Sequence, residues 1–141
     1  MGLLATDITP LQSPSVLIPS SKDYTVKVFS VARTDTVSSV KAVIPADASV
    51  MNVWLYRNGV SNAGTSATVT ITLANNGGTI STGVYDVKAN GDTSGVVQMS
   101  GLPNLEPRPL NGDITVSAVY AESGTASSSG GPWKLSIDYV R

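Results

Sequence analysis

Apolar and polar residues alternate with a period of two through most of this chain, and no window repeats at the spacing of an amphipathic helix. The cleanest stretch is residues 65–74. Ala67, Val69, Ile71 and Leu73 fall on one face, and Ser66, Thr68, Thr70 and Thr72 fall on the other. Period two over that length predicts a half-buried strand, closed by the turn residues Asn75-Asn76-Gly77-Gly78. Upstream, Tyr24, Val26 and Val28 alternate with Thr25, Lys27 and Phe29. Thr36 to Ile44 forms a second candidate, ended by Pro45. Ser49 to Arg57 is apolar on both sides, with Val50, Val53 and Leu55 beside Met51, Trp54 and Tyr56. This predicts a strand covered on both faces, with a bulge near Asn52. Asn58-Gly59 is a turn signal. Thr79 to Lys88 is weakened as a strand by Gly83, and Gly95 to Met99 gives a short one. Gly101 to Gly112, with three prolines, reads as an ordered loop.

The last third repeats the pattern twice. Ile114, Val116, Ala118 and Tyr120 share a face, and so do Trp133, Leu135, Ile137 and Tyr139. Between them lies the small polar stretch Ala121 to Ser129, then Gly130-Gly131-Pro132. Two alternating strands around a flexible loop predict a terminal β-hairpin. The candidate core is Val69, Ile71, Leu73, Val116, Trp133, Leu135, Ile137 and Tyr139. About eight short strands in some 120 residues predict an all-β, antiparallel β-sandwich, with a jelly roll favoured over an immunoglobulin-like sandwich. Strand order is not contained in such a pattern.

Residues 1–21 differ. Pro10, Pro14 and Pro19 forbid a regular helix or a central strand, which divides the chain into an extended Pro/Ser-rich arm (1–21) and a sandwich domain (22–141). The arm carries Leu3, Leu4, Leu11, Val16, Leu17 and Ile18. These apolar groups pack either on the domain itself or on a neighbouring subunit, and they are the candidate interface.

Composition narrows the function. The 141 residues contain no Cys and no His, which removes thiolate ligands, disulfides, the commonest general base and the commonest transition-metal ligand. Ten acidic residues are spread along predicted turns rather than paired, so no catalytic residues are assigned and the chain is not expected to be an enzyme. Net charge is −1 with nine scattered Lys and Arg, too few for a nucleic-acid face. No apolar run approaches the roughly 20 residues that span a bilayer, and no signal peptide is visible. Synthesis in a host cytoplasm is expected, and the loose myristoylation pattern of Met1 to Thr6 is read as a chance match. Asp86 to Asp92 has part of a calcium-loop spacing, but Lys88 holds a ligand position and Val97 replaces the terminal Glu. A turn is the better reading, and no metal or cofactor is expected. The aromatics Trp54, Tyr56, Tyr85, Tyr120, Trp133 and Tyr139 fill either a core or interface, which is preferred, or a sugar-stacking platform.

One resemblance sharpens this. Ala42-Val43-Ile44-Pro45-Ala46-Asp47-Ala48-Ser49-Val50, followed by the Thr/Val-rich Thr65 to Leu73, resembles the opening of a group of small virion proteins of tailed bacteriophages. The alternating strand, Ser/Gly loop, Gly-Gly-Pro-Trp and Tyr-closing strand of Asp113 to Arg141 resemble that group's ending. The likeness covers residues 40–141 and leaves out the arm. It implies a capsid decoration (cement) protein at the virion surface, bound to the major capsid protein as a dimer or trimer. The rival expectation is a receptor- or carbohydrate-binding sandwich from a phage tail fibre or spike. A lectin-like site would show exposed aromatics clustered with Asp, Asn or Arg in a groove, whereas a cement protein would show a flat apolar patch.

Overall fold

The computed structural model describes residues 23–56, 65–90, 93–100, 109–124 and 130–141. The arm with its candidate interface residues, the Asn58-Gly59 turn and most of the Pro-rich loop after Gly101 lie outside these residues. Eight strands run through the described part: β1 (Tyr24–Val31), β2 (Ser39–Ile44), β3 (Ser49–Tyr56), β4 (Ser66–Asn75), β5 (Gly78–Asp86), β6 (Gly95–Val96), β7 (Ile114–Ser123) and β8 (Trp133–Val140). One 3-10 turn spans Pro109–Asn111.

The strands form two antiparallel four-stranded sheets. The first has the order β1-β8-β3-β6 and the second β2-β7-β4-β5. The pairings are nested: first strand with last, second with seventh, third with sixth, fourth with fifth. That nesting, in two face-packed sheets, is a jelly roll.

The core lies between the sheets and is built from the predicted alternation. Val69, Ile71 and Leu73 of β4 and Val116 of β7 meet Leu135, Ile137 and Tyr139 of β8, all buried, with Trp133 almost fully enclosed. The Trp133 ring stacks on Tyr120 with centroids 5.1 Å apart. This pair crosses from one sheet to the other, and it shows why the expected terminal hairpin is not formed. β7 is hydrogen-bonded between β2 and β4 in the second sheet. β8 is hydrogen-bonded between β1 and β3 in the first. Both strands are central in their sheets, and their apolar faces oppose each other across the core. Period-two patterning fixes which face is buried, but side-by-side and face-to-face neighbours give the same pattern. The expected loop is also shorter at its start, because β7 continues to Ser123, paired with Ser66.

The two open sides of the sandwich are closed differently. Segment 95–100 crosses from the edge of the first sheet to the edge of the second. The Val97 amide donates to Val53 O at 2.8 Å, Met99 bridges Gly83, and the Ser100 amide donates to Thr82 O. Gly83 permits this crossing, since a Cβ there would stand 2.8 Å from Gln98 O. On the other side β1 and β2 are edge strands, and the Lys27 ammonium donates to Val43 O at 2.8 Å between them.

Candidate functional site

The outer faces of the two sheets differ in chemistry. The second presents mostly Ser, Thr and Val: Thr68, Thr70 and Thr72 of β4, Thr115, Ser117 and Val119 of β7, and Val40, Val43 and Val84 at its margins. The outer face of the first sheet is aromatic and concave. Tyr24 and Val26 of β1, Asn52, Trp54 and Tyr56 of β3, and Ser136 and Asp138 of β8 line a shallow cavity of about 490 Å³.

Each lining residue is placed by the strand geometry. In β1 the inward positions are Thr25, Lys27, Phe29 and Val31, which pair with Tyr139, Ile137, Leu135 and Trp133 of β8. Tyr24, Val26 and Val28 therefore face outward, and Tyr24 is 63% exposed. Their alternation has the right period, but its apolar set faces solvent.

In β3 a bulge decides the outcome. Val50 pairs with Tyr139 and Asn52 with Asp138, so one extra residue, Met51, is inserted. The insertion lets Val50, Val53 and Leu55 all point into the core while Asn52, Trp54 and Tyr56 share the outer face. Bulges re-aim side chains in this way.

The two tyrosines lean toward one another from opposite ends of the sheet. Tyr24 is opposite Val140 in the register, yet its hydroxyl bonds the Asp138 carboxylate. That bond, followed by partial desolvation and the charge of Asp138, raises its pKa. Tyr56 is opposite Lys134, yet its hydroxyl stands 3.5 Å from Ser136 Oγ. Between them, Trp54, Asn52 and Val26 form the floor with Ser136, a buried serine at 2% exposure. The rim thus combines three aromatic rings with a carboxylate, an amide and hydroxyls. No Lys or Arg is among the described lining residues, and Lys134 lies beside the groove, opposite Tyr56.

Of the six aromatics named from the sequence, Tyr85, Tyr120, Trp133 and Tyr139 belong to the core, and Trp54 and Tyr56 to this groove. Tyr24, Val26, Asn52, Ser136 and Asp138 were not singled out beforehand. The available signal was the double-sided apolar character of β3, which a strand with one solvent face does not require.

The described part of the calcium-like segment, residues 86–90, is a turn. Asp86 Oδ1 accepts from the amides of Lys88 (3.0 Å) and Ala89 (2.7 Å), and Asn90 Nδ2 donates to Asp86 O. The carboxylate is committed to its own backbone. No group of three or more potential metal-ligating side chains occurs among the described residues. Nor is any helix among them long and apolar enough to cross a membrane.

No family model matches the chain, and no curated protein matches it. Among solved structures it is similar to a chain of the cyanophage Pam1 capsid asymmetric unit, at 18% identity and a TM-score of 0.56, over 99% of each chain. At that identity the likeness is one of fold, and it extends end to end.

Proposed function

We propose that this protein is a structural component of a bacteriophage virion that decorates and reinforces the outer surface of the capsid. In this reading it binds the major capsid protein as a dimer or trimer, needs no cofactor and catalyses no reaction. The observation that carries the proposal is the end-to-end agreement in fold, and so in length, with a chain of a phage capsid unit.

Physical chemistry supports the role. A sandwich whose central strands are paired on both sides around a close-packed core is stiff. A chain without Cys or His is indifferent to redox state and carries no side chain that ordinarily titrates near neutral pH. A charge content of 13% with net charge −1 allows many copies to crowd on a shell without mutual repulsion. The non-catalytic part rests on the same absence of His and Cys and on acidic residues spread along the sequence rather than set side by side.

The test is cosedimentation of the purified chain with phage heads that lack it, followed by cryo-electron microscopy of the complex. The expected result is saturable binding to heads and added density on the outer shell. Binding to tails and not to heads would overturn the proposal in favour of a receptor- or carbohydrate-binding domain of a tail fibre or spike.

A further inference from the structure

The groove on the outer face of the first sheet has a chemistry that points to a ligand of its own. We propose that the cavity between Tyr24, Trp54 and Tyr56 is a binding site for a neutral saccharide of one or two pyranose rings. This inference is independent of the capsid reading, because it concerns one face of the free protein.

A pyranose ring has a face of C–H groups and a rim of hydroxyls. The C–H face is complementary to the negative face of an aromatic ring, and Tyr24, Trp54 and Tyr56 supply three such rings on one concave surface. The hydroxyl rim needs acceptors and donors. Asp138 offers carboxylate oxygens, Asn52 both an acceptor and donors, and Ser136 and the two tyrosines offer hydroxyls. A volume of about 490 Å³ lies within the usual range for small-ligand sites, roughly 300–1,000 Å³.

Other occupants fit less well. With Asp138 in the lining and no Lys or Arg among the described lining residues, an anionic ligand would meet a like charge within the cavity. A purely apolar ligand or lipid tail would strip water from Asp138, Asn52 and Ser136 without replacing their hydrogen bonds, which is costly. A second copy of the chain would pair this patch with itself, because a two-fold interface is self-complementary. Two Asp138 carboxylates would then be brought into one contact, at a cost in desolvation. A lone quaternary ammonium suits aromatic cages, but it would leave most of a cavity this size filled with water.

The test uses the full chain. Of its two tryptophans, Trp133 is enclosed in the core against Tyr120, so a ligand-dependent indole signal reports Trp54. Titration with maltose, cellobiose, lactose and chitobiose, read by tryptophan fluorescence and by the indole N–H resonance of Trp54, should show saturable binding for at least one. Tyr24→Ala and Asp138→Asn should each weaken that binding about tenfold or more. The melting temperature and the cosedimentation with heads should stay as in the parent chain. Four outcomes would overturn the proposal: no response to any of these sugars, a response unaffected by Tyr24→Ala, a stronger response to choline than to any sugar, or a concentration-dependent dimer abolished by Tyr24→Ala. Loss of head binding with intact sugar binding would instead count against the capsid role alone, so the two readings fail separately.

Discussion

Two side chains show at residue scale how much a single position can carry. Trp133 is the largest fully buried residue, stacked on Tyr120 across the core. Replacing a buried Trp by Ala typically costs about 3–5 kcal/mol, a large share of the roughly 5–15 kcal/mol that holds a domain together. Trp133→Ala should therefore lower the melting temperature sharply in a calorimetric scan. An unchanged melt would show that the ring is not part of the cooperative core. Gly131→Ala should act in the same direction, because Gly131 has φ of +75° and a Cβ there would stand 2.9 Å from the Trp133 ring. Asp35 works through charge. Its Oδ2 accepts from the Ala32 amide at 2.7 Å and from Lys41 Nζ at 2.9 Å. These two partners, the amide first, hold its pKa below the ordinary aspartate value of 3.8. A pKa depressed by folding means that the unfolded chain binds the proton more readily. The contribution is thus fully present above about pH 4 and is lost as acid protonates the folded carboxylate. Melts between pH 7 and pH 2 should show a steeper acid loss in the parent chain than in Asp35→Asn. At neutral pH the variant should be weaker by on the order of 1 kcal/mol. Parallel curves would exclude Asp35 as a source of acid sensitivity.

The strands themselves were legible in the sequence, and their partners were not. β4 is read directly from its alternation, because one face is buried and the other is not. β1 shows the limit. Tyr24, Val26 and Val28 have the period of a strand, but the core is met by Phe29 and Val31, so the apolar set at its start faces outward, with Tyr24 and Val26 in the groove. β7 and β8 show a second limit, since neighbours across a core and neighbours along a ladder leave the same pattern. The bulge in β3 was expected near Asn52 and lies between Val50 and Asn52. Its consequence, that Asn52, Trp54 and Tyr56 gather on one face, needs the register and could not be had from composition. The edges carry a further prediction. Lys27 is opposite Ile137 and so points toward the inner side of β1, an edge strand, where it caps Val43 O of the other edge strand, β2. An inward-facing charge on an edge strand discourages pairing with another molecule. Lys27→Ala should leave the fold intact by circular dichroism but raise light scattering on prolonged warming. Equal scattering by both proteins would show that this edge is protected by other means.

At the scale of the whole molecule, the two outer faces differ in chemistry, and the sequence of the arm differs from both. The second sheet offers a Ser/Thr/Val face, the first sheet the aromatic groove, and residues 1–21 bring seven large aliphatic side chains. Among the described residues the strand ladders begin at Tyr24. Tyr24 pairs with Val140, and the Arg141 amide donates to Asp23 O, so all the pairings among the described residues lie within 23–141. Removing residues 1–21 takes away none of those ladder bonds and none of the core side chains named above. The truncated chain should therefore melt cooperatively near the temperature of the full chain. The arm's aliphatics, broken by three prolines and unable to form a regular helix, gain most by burial against a partner surface. A fully buried side chain of this kind contributes about 1.5–3 kcal/mol, so losing several should weaken head binding or self-association by orders of magnitude. Sedimentation of the truncated and full chains, alone and with heads, separates the possibilities. Normal folding with lost association assigns the arm to a neighbour. Normal folding with undiminished association removes the arm from the anchoring surface and leaves that task to the faces of the sandwich. Loss of cooperative folding would make the arm part of the domain, its aliphatics filling the domain's own surface rather than a partner's.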